Sequence, residues 1–393
     1  MTKILLSALA ARGGGGLTYV RNLAATFPRD TDDRLSILSH ERVEGLDDRS
    51  NVEWIRAPGW TRNPITRFLL GWFYFRFVWS RRHDFDVACY AGGTFDAPLP
   101  GRVATVVVFH NMLPFDQAAR RRYALGWMRL RHLVLWFVQG LAMQRADLVV
   151  FISDHGRRTI DRALRNRRGA SVVIPHTLTP AAAPLGRKTA RPLPERFVLY
   201  VSSIHPYKAQ VELVEAWAQL RHSGSVKQKL VLVGPEYPPY AGRVREAARR
   251  CGIEGEVLLL GPVRHDEVVG LAEQAELNLF LSSCENCPYT LLELMGAGRP
   301  LLVSSLGPMP ELGGPDLLYV DPYDVPAVAG ALRHMLDDAD LRHRVAIAAE
   351  QRSWLFRSDK AGVATWQAIQ DAVERRCRAQ RNEGSGPALT ASR

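Results

Sequence analysis

Cysteine is scarce in this sequence, and long hydrophobic runs are missing from it. The 393 residues contain five cysteines without the regular spacing of a disulfide framework, which argues against a small disulfide-stabilised scaffold and favours a reducing compartment such as the cytosol. No apolar stretch reaches the eighteen or so residues that a membrane-spanning helix needs. The first apolar run, in MTKILLSALAARGGGG, is too short for a secretory signal and is more typical of a first β-strand.

The positive charge of the chain is concentrated in its first half. The net charge is +11; residues 1–196 carry 30 Lys and Arg against 16 Asp and Glu, whereas residues 197–393 carry 21 against 24. A basic half indicates an anionic partner, such as a lipid surface, a nucleic acid or a phosphorylated ligand. Solvated arginines without any partner are the alternative, but they do not explain why the second half lacks the excess.

Short apolar runs alternate with amphipathic helical patterns along the whole chain. Such runs, separated by helices, predict parallel strands covered on both faces, and hence an α/β fold. The runs form two series joined by a stretch rich in Pro and Ala, which predicts two doubly wound domains. The predicted segments are 1–183 (first domain), 184–196 (linker), 197–355 (second domain), 356–380 (a final helix) and 381–393 (a disordered tail).

Two short features indicate where phosphate could bind. Gly14 and Gly15 lie in a glycine run between the first predicted strand and the first predicted helix, where backbone N–H groups can approach an anion. Lys208 closes the turn after the first strand of the second series, at the sheet edge where open α/β domains bind ligands. The alternatives are a tight turn without a ligand and a solvated lysine. The glycine run does not have the spacing of a P-loop.

The stretch SSCENCPYTLLELMGAGRP, residues 282–300, contains two glutamates with seven residues between them. A helix that begins within this stretch would place the backbone amides of Thr290 and Leu291 in its first turn. Glu285 would precede the helix and Glu293 would lie in its second turn, so both carboxylates can point into one crevice. A sugar nucleotide suits such a crevice, because it has a central phosphate and hydroxyl groups at both ends.

The same stretch contains Cys284 and Cys287 in a C-x-x-C spacing. One such pair, without a second pair or a nearby set of histidines, is too little for a zinc site. We therefore expect both cysteines to be small packing residues beside Glu285. A glycosidase would need two carboxylates across a sugar-sized gap, one of them with a raised pKa, and nothing in the sequence favours that arrangement.

Taken together, these segments resemble the retaining family 4 glycosyltransferases, which have the GT-B fold. ENCPYTLLE resembles the E-x7-E signature of that family. Other resembling segments, spread over nearly the whole chain, are GGGGLTYVRNL (13–23), FHN (109–111), DLVVFISDHGRR (147–158), VIPHT (173–177), GPMPELGG (307–314), YVDP (319–322) and WLFRSDKAGVATWQAI (354–369). The resemblance implies two Rossmann-like domains facing across a cleft, with the final helix packing back towards the first domain.

The resemblance also implies a role for each matching residue. Glu293 would bind the ribose hydroxyls of the donor, Glu285 would bind its sugar near the anomeric carbon, and Lys208 would pair with its diphosphate. His110 would contact the transferred sugar or its leaving side, which makes Glu285 and His110 the expected catalytic residues. The remaining donor-binding residues expected near the phosphates are Gly14, Gly15, Ser203, Thr290 and Leu291.

Two positions depart from the family pattern. Ser202 and Ser203 stand where many members have Gly-Arg, so a second phosphate partner is missing, although serine hydroxyls can still donate. Asn286 stands where glycine is common, and we expect it to alter contacts to the sugar. Members with the GT-B fold usually transfer without a bound metal, so the resemblance implies no cofactor and no metal site.

Two basic, aromatic segments of the first domain indicate a membrane surface. Helical spacing places on one face of segment 61–82 the side chains Phe68, Trp72, Phe75 and Trp79, and on one face of segment 120–141 the side chains Trp127, Leu130, Val134, Phe137 and Leu141. Basic amphipathic helices with Trp and Phe are typical of membrane interfaces. Burial in the domain core is the alternative. Since the first domain of the resembled family holds the acceptor, a lipid-linked acceptor is expected.

The sequence thus predicts a cytoplasmic hexosyltransferase, peripheral to the inner face of the plasma membrane. It would use a nucleotide-diphosphate sugar and build a bacterial surface polysaccharide such as lipopolysaccharide, without a nucleic-acid partner. Another enzyme on the same fold is one alternative: a sugar-nucleotide epimerase, which would need no acceptor, or a phosphorylase, which would need a lysine that carries pyridoxal phosphate. A degenerate, non-catalytic subunit that binds membrane or RNA is another, although the presence of both Glu285 and Glu293 argues against it.

Overall fold

The fold consists of two separate parallel β-sheets, each with helices around it. The computed structural model describes residues 1–11, 15–43, 49–164, 167–178 and 191–384, with side chains to residue 381. All strands of the first sheet lie between residues 3 and 173, and all strands of the second lie between residues 197 and 320. The predicted α/β class with two doubly wound, Rossmann-like domains is confirmed.

The first sheet has seven strands, and the order of the strands reverses beside the first one. In chain order they are β1 (Lys3–Ser7), β2 (Arg34–Ser39), β3 (Val52–Arg56), β4 (Val87–Tyr90), β5 (Ala104–Phe109), β6 (Leu148–Phe151) and β7 (Ala170–Val173). In space the order is β3-β2-β1-β4-β5-β6-β7. Ile4 of β1 pairs with Leu35 on one side and with Val87 on the other. Doubly wound sheets bind ligands at such a reversal, outside the carboxyl ends of the strands.

The second sheet repeats this arrangement with six strands. They are β8 (Phe197–Val201), β9 (Lys229–Val233), β10 (Val257–Gly261), β11 (Leu277–Phe280), β12 (Leu301–Ser304) and β13 (Leu318–Val320). The spatial order β10-β9-β8-β11-β12-β13 reverses beside β8. The turns after β8 and β11 therefore lie next to each other at the point where a ligand is expected.

The helices cover both faces of the two sheets. They are α1 (Gly15–Ala25), α2 (Pro64–Phe73), α3 (Gln117–Arg121), α4 (Trp127–Arg145), α5 (Asp154–Ala163), α6 (Gln210–His222), α7 (Pro238–Arg250), α8 (His265–Gln274), α9 (Tyr289–Met295), α10 (Met309–Gly313), α11 (Val325–Asp337), α12 (Ala339–Ser353) and α13 (Lys360–Gly384). Several begin at a side chain that accepts a bond from a backbone amide of the first turn, as Asp116, Ser153 and Asp324 do.

Hydrophobic side chains alternate between two cores along the strands of the first sheet. Ile4 and Leu6 belong to a core that continues into the second domain, whereas Leu5, between them, points into a core on the opposite face. Residues of α4 and of the segment between α2 and β4 cover this opposite face, among them Phe75, Trp79, Ala142 and Met143. Helix α4 and the segment that follows α2 thus lie on the same side of the first sheet.

The first aromatic segment is divided by a change of helical geometry. One turn of π-helix, Tyr74–Val78, follows α2, and a wider turn rotates the residues after it relative to those before it. Phe68 and Trp72 are 68% and 57% exposed, whereas Phe75 and Trp79 are buried. The prediction of one continuous aromatic face is therefore wrong, since half of that face lies in the core.

Large hydrophobic side chains remain exposed on both helices. We call this surface the apolar face; its residues are Ile65, Phe68, Leu69, Leu70, Trp72, Phe73, Phe77 and Val78 in and after α2, and Leu125, Trp127, Leu130, Leu133, Val134, Trp136 and Phe137 in and before α4. Soluble monomers rarely expose so many together without a binding role. Within the described residues, no helix combines the length and the hydrophobicity that crossing a bilayer requires.

Helix α13 starts later and ends later than the predicted final helix, so residues 381–384 of the predicted tail are helical. The indole N–H of Trp366 donates to the Leu23 carbonyl at 3.0 Å, and its ring contacts Phe27 edge-on. Further along, the Arg376 guanidinium lies 3.2 Å from the Asp147 carboxylate. The helix that ends the second domain thus packs on the first. Residues 385–393 of the predicted tail and 184–190 of the predicted linker lie outside the described residues.

The contact between α13 and α1 leads to a stability prediction. A methyl group at Gly362 would lie 2.0 Å from the Thr26 hydroxyl oxygen and 2.6 Å from its Cβ. We expect Gly362→Ala to lower the free energy of unfolding by about 1–3 kcal/mol, measured by urea denaturation. Gly330→Ala is the matched control, because no atom lies within 4 Å of its new methyl group. A loss no larger at Gly362 than at Gly330 would show that α13 does not pack tightly here.

Candidate functional site

The carboxyl ends of the strands of the two sheets face each other, and the predicted site residues lie between them. His110 follows β5 of the first sheet, while Lys208 and Glu285 follow β8 and β11 of the second. Glu293 lies in α9, the helix that follows the loop of Glu285. The structure therefore gathers residues that are far apart in the chain at one interdomain cleft.

Lys208 and Glu285 form an ion pair with each other. Their side chains are 9% and 16% exposed, and the rings of Tyr207 and Phe280 lie 5.1 and 5.6 Å from the ammonium nitrogen. A charged group that is shielded from water to this extent needs a partner of opposite charge. Lys208 and Glu285 are that partner for each other. The sequence predicted separate partners on a ligand for these two residues, and their mutual contact was not predicted.

Glu293 is buried beside a histidine that the sequence analysis did not assign to the site. The Nε2 atom of His265, the first residue of α8, lies 3.2 Å from one carboxylate oxygen of Glu293. Burial raises the pKa of Glu293, and the neighbouring His265 partly offsets this shift. The sequence feature that could have identified His265 is its position at the start of a helix that follows a strand of the second sheet.

His110 lies in a cluster of rings at the interface of the two domains. Tyr19 contacts it edge-on with ring centroids 4.7 Å apart, and His176 lies 5.2 Å away. His176 in turn stacks on Tyr289 at 4.3 Å, and its Nδ1 atom lies 2.8 Å from the Cys287 carbonyl, to which it donates. Burial lowers the pKa of His110 to about 4, so this imidazole is neutral near pH 7.

Asn286 connects the two domains through its side chain. Its amide nitrogen donates to the Phe109 carbonyl at 2.7 Å, and its oxygen accepts from the Ser153 hydroxyl at 2.5 Å. The side chain is buried, and these bonds occupy both of its polar ends. Asn286 was expected to alter contacts to a sugar. In the structure it fixes the Glu285 loop against β5, the strand that ends at Phe109 just before His110; its effect on sugar contacts stays a prediction.

A second connection joins the domains at the start of α5. Both carboxylate oxygens of Glu311 accept backbone N–H bonds, from Asp154 at 2.7 Å and from His155 at 2.8 Å. The amino end of a helix favours a negative charge, so this contact stabilises the closed arrangement. Further from the site, the Tyr123 hydroxyl lies 3.1 Å from Nδ1 of His205.

The remaining predicted phosphate-binding groups are distributed unevenly. Gly14 lies outside the described residues, and Gly15 begins α1 beside the Tyr289 ring. The Leu291 amide was predicted to be free to bind phosphate. This prediction is wrong, because the amide donates to the Pro288 carbonyl at 3.1 Å. Its neighbour Thr290 has no such bond from its amide within the described residues. The Ser203 carbonyl accepts from the Gln210 amide.

The two cysteines of the site loop are protonated thiols near neutral pH. Cys284 and Cys287 are buried and unpaired, and burial raises the pKa of Cys287 to about 12 and that of Cys284 well above its ordinary value. They pack beside Glu285, as the sequence predicted. No group of three or more His, Cys, Asp or Glu side chains in the described part of the chain is placed to hold a metal ion.

Comparison with known protein families assigns both halves of the chain. Residues 13–181 match the family described as Glycosyltransferase Family 4, and residues 185–352 match the family described as Glycosyl transferases group 1. The two matches meet at the predicted linker and together cover most of the sequence.

Two curated bacterial relatives illustrate the similarity. The chain is 28% identical over 169 residues to N-acetyl-alpha-D-glucosaminyl L-malate synthase of Bacillus anthracis, and 26% identical over 227 residues to O-antigen chain mannosyltransferase B of Escherichia coli. The matches cover 42% and 54% of this chain and 43% and 58% of those relatives, so the chain spans about half of their length.

Solved structures match over nearly the whole length. Sucrose-phosphate synthase from Thermosynechococcus elongatus superposes with a TM-score of 0.71 at 17% identity, covering 94% of this chain and 99% of that one. Anabaena Alr3699/HepE, solved with UDP and glucose, gives 0.69 at 18% identity and covers 94% and 100%. At such identities these likenesses show the fold. The two family matches show that the chain belongs to the family 4 type of glycosyltransferases, and the solved structures show that it has the GT-B fold.

Proposed function

We propose that this chain is an active hexosyltransferase that moves a sugar from a nucleotide-diphosphate donor to a lipid-linked glycan acceptor, with retention at the anomeric carbon. One observation carries the proposal: a shielded lysine and two shielded carboxylates, Lys208, Glu285 and Glu293, meet at the carboxyl ends of the second sheet. The donor offers a partner to each, since its diphosphate is anionic and its sugar and ribose carry hydroxyl donors.

The ion pair explains how the donor would bind without leaving a charge unpaired. The diphosphate would replace Glu285 as the partner of Lys208, and Glu285 would then accept hydrogen bonds from the donor sugar. Lys208 would also stabilise the negative charge that develops on the leaving diphosphate. In many enzymes, such preorganised electrostatic stabilisation makes the largest contribution to the rate enhancement. Hydroxyls of Ser203 and the amide of Thr290 would add donors to the same phosphates, and Gly14 and Gly15 would let the first loop approach them.

The two other residues of the site would recognise the ends of the donor. Glu293 would bind the ribose hydroxyls. Burial raises its pKa in the protein without ligand, and the hydroxyl donors of a bound ribose would lower this pKa, because they favour the carboxylate form. Neutral His110 would lie at the sugar or its leaving side, where an uncharged imidazole can donate or accept a hydrogen bond. Retention and metal independence rest on the family resemblance and stay predictions.

Relatives support the choice of donor and pathway. The Anabaena protein was solved with UDP-glucose, and one Escherichia coli relative is named as a mannosyltransferase of the O-antigen chain. We therefore propose a nucleotide sugar as donor and a bacterial surface polysaccharide as product, with the second domain binding the donor and the first binding the acceptor.

The apolar face supports a position on the inner surface of the plasma membrane. Phe68, Trp72, Trp127 and Phe137 are each more than half exposed, and both segments that contribute to the face are rich in arginine. Aromatic residues with flanking arginines suit an anionic lipid surface, because the rings enter the interface while the guanidinium groups pair with phosphates. We propose that an anionic bilayer covers this face.

A nucleotide panel tests the donor site. One of UDP, GDP, ADP and CMP should raise the melting temperature of the wild-type protein; a ligand at a hundred times its dissociation constant adds about 2.7 kcal/mol. Glu293→Gln should remove most of that shift, because the carboxylate can no longer accept both ribose hydroxyls. Glu273→Gln, an exposed glutamate of the same domain, should leave it unchanged. If no nucleotide, free or sugar-linked, shifts the wild type, the transferase function is refuted.

Vesicle sedimentation tests the membrane surface. Trp72→Ser/Trp127→Ser should weaken binding to phosphatidylglycerol-containing vesicles by more than tenfold, because burying each large apolar side chain contributes roughly 1.5–3 kcal/mol. Trp354→Ser removes a tryptophan that is 62% exposed but lies outside the apolar face, and it should bind like wild type. Equal losses in both variants, or no binding by the wild type, would contradict the membrane assignment.

A further inference from the structure

A cluster of arginines lies between α3 and α4, on the first-domain side of the cleft. Arg120, Arg121 and Arg129 line an open cavity of about 190 Å³ together with Gln117 and Leu133. None of the three arginines forms an ion pair with a carboxylate in the part of the chain that the structure describes. The cavity therefore contains positive charge that the protein itself does not neutralise.

Of these guanidinium groups, that of Arg129 is held in place by backbone bonds, and that of Arg120 is partly shielded from solvent. Arg129 donates from Nε to the Tyr123 carbonyl and from Nη2 to the Arg121 carbonyl, both at 2.7 Å. Nε of Arg120 is shielded from solvent and has no hydrogen-bond partner among the described residues. Shielding an N–H group of a cation without giving it an acceptor costs free energy, so the Arg120 guanidinium gains from an anion at its other N–H groups.

The cavity adjoins the apolar face. Leu133 lines the cavity and is 53% exposed, and Trp127, Leu130 and Phe137 of the same helix are 69%, 52% and 61% exposed. A ligand that satisfies both surfaces carries an anionic group directly attached to a long apolar chain. A phosphate or diphosphate ester of a lipid alcohol has this chemistry.

The backbone that follows the cavity contacts the donor side of the cleft. The Arg122 guanidinium lies 3.0 Å over the Tyr323 ring and 3.6 Å from the Glu212 carboxylate. The next residue, Tyr123, contacts His205, which precedes the turn that carries Lys208. A group attached to an anion in the cavity therefore has a short path to the donor loop.

We propose that Arg120, Arg121 and Arg129 bind the phosphate group of a lipid-phosphate acceptor, with its chain on the apolar face and its glycan directed into the cleft. This inference rests on the proposed function and names the class of its acceptor. A free inorganic anion and a phospholipid headgroup share the phosphate chemistry, so the experiment has to separate these sources.

The test compares three probes on the full chain by isothermal titration calorimetry, with the donor site filled by the nucleotide that stabilises the protein. The probes are farnesyl diphosphate, farnesol and inorganic pyrophosphate. Wild type should bind farnesyl diphosphate most tightly. Arg120→Gln/Arg121→Gln should weaken that binding at least about tenfold and leave farnesol unaffected. Arg333→Gln/Arg344→Gln, which changes two exposed arginines of the second domain, should behave like wild type.

Three results would overturn the inference. Pyrophosphate binding as tight as farnesyl diphosphate would indicate a site for a free anion. An equal loss in the Arg333/Arg344 variant would indicate general charge attraction. Weaker binding of the Arg120/Arg121 variant to phosphatidylglycerol vesicles, with unchanged farnesyl diphosphate binding, would assign the arginines to the membrane headgroups.

Failure of the proposed function gives a different pattern. If nucleotides stabilise the protein but the Arg120/Arg121 variant binds farnesyl diphosphate normally, only the acceptor site is refuted. If no nucleotide stabilises it, the same titrations are run without nucleotide. An arginine-dependent farnesyl diphosphate affinity would then support the lipid-phosphate site in a protein that is not a transferase.

Discussion

The ion pair between Lys208 and Glu285 depends on the pairing of two neighbouring strands of the second sheet. Each residue follows a strand of the second sheet, and those strands, β8 and β11, are neighbours. The loop of Glu285 is in turn fixed to the first domain, because Asn286 bonds to the Phe109 carbonyl and to Ser153. The consecutive residues Glu285 and Asn286 thus connect the site geometry to the contact between the domains. In the proposed mechanism, the donor must break the ion pair between Lys208 and Glu285 to bind.

The same contacts show how binding and closure can be coupled. The buried amide of Asn286 and the half-buried carboxylate of Glu311 both bond across the domains, so opening the cleft requires water to replace these partners. The final helix adds a hydrophobic contact across the domains through Trp366. The second domain is therefore attached to the first both at the site loop and through the final helix.

Much of the fold was predictable, because apolar runs with helices between them reveal parallel strands. Three strands escaped prediction. Two of them have little of that signal, since β3 lies at an edge and has no fully buried residue, and β13 has only three residues. The third, β2, was missed although five of its six residues are buried. Glu285, Glu293, Lys208 and His110 could be collected from the sequence by motif and position. Their partners could not, since the contact of His265 with Glu293 and the bonds of Asn286 join residues whose proximity only the folded chain defines. The split of the aromatic segment depends on one π-helical turn, which helical periodicity does not reveal.

The most direct test of the account is a crystal structure of the chain with the intact nucleotide-diphosphate sugar whose nucleotide it binds. The account predicts that the Lys208 ammonium leaves Glu285 and contacts the diphosphate, while the Glu285 carboxylate accepts hydrogen bonds from the sugar. A donor bound in the cleft with the ion pair between Lys208 and Glu285 unbroken, or a donor bound elsewhere, would contradict it.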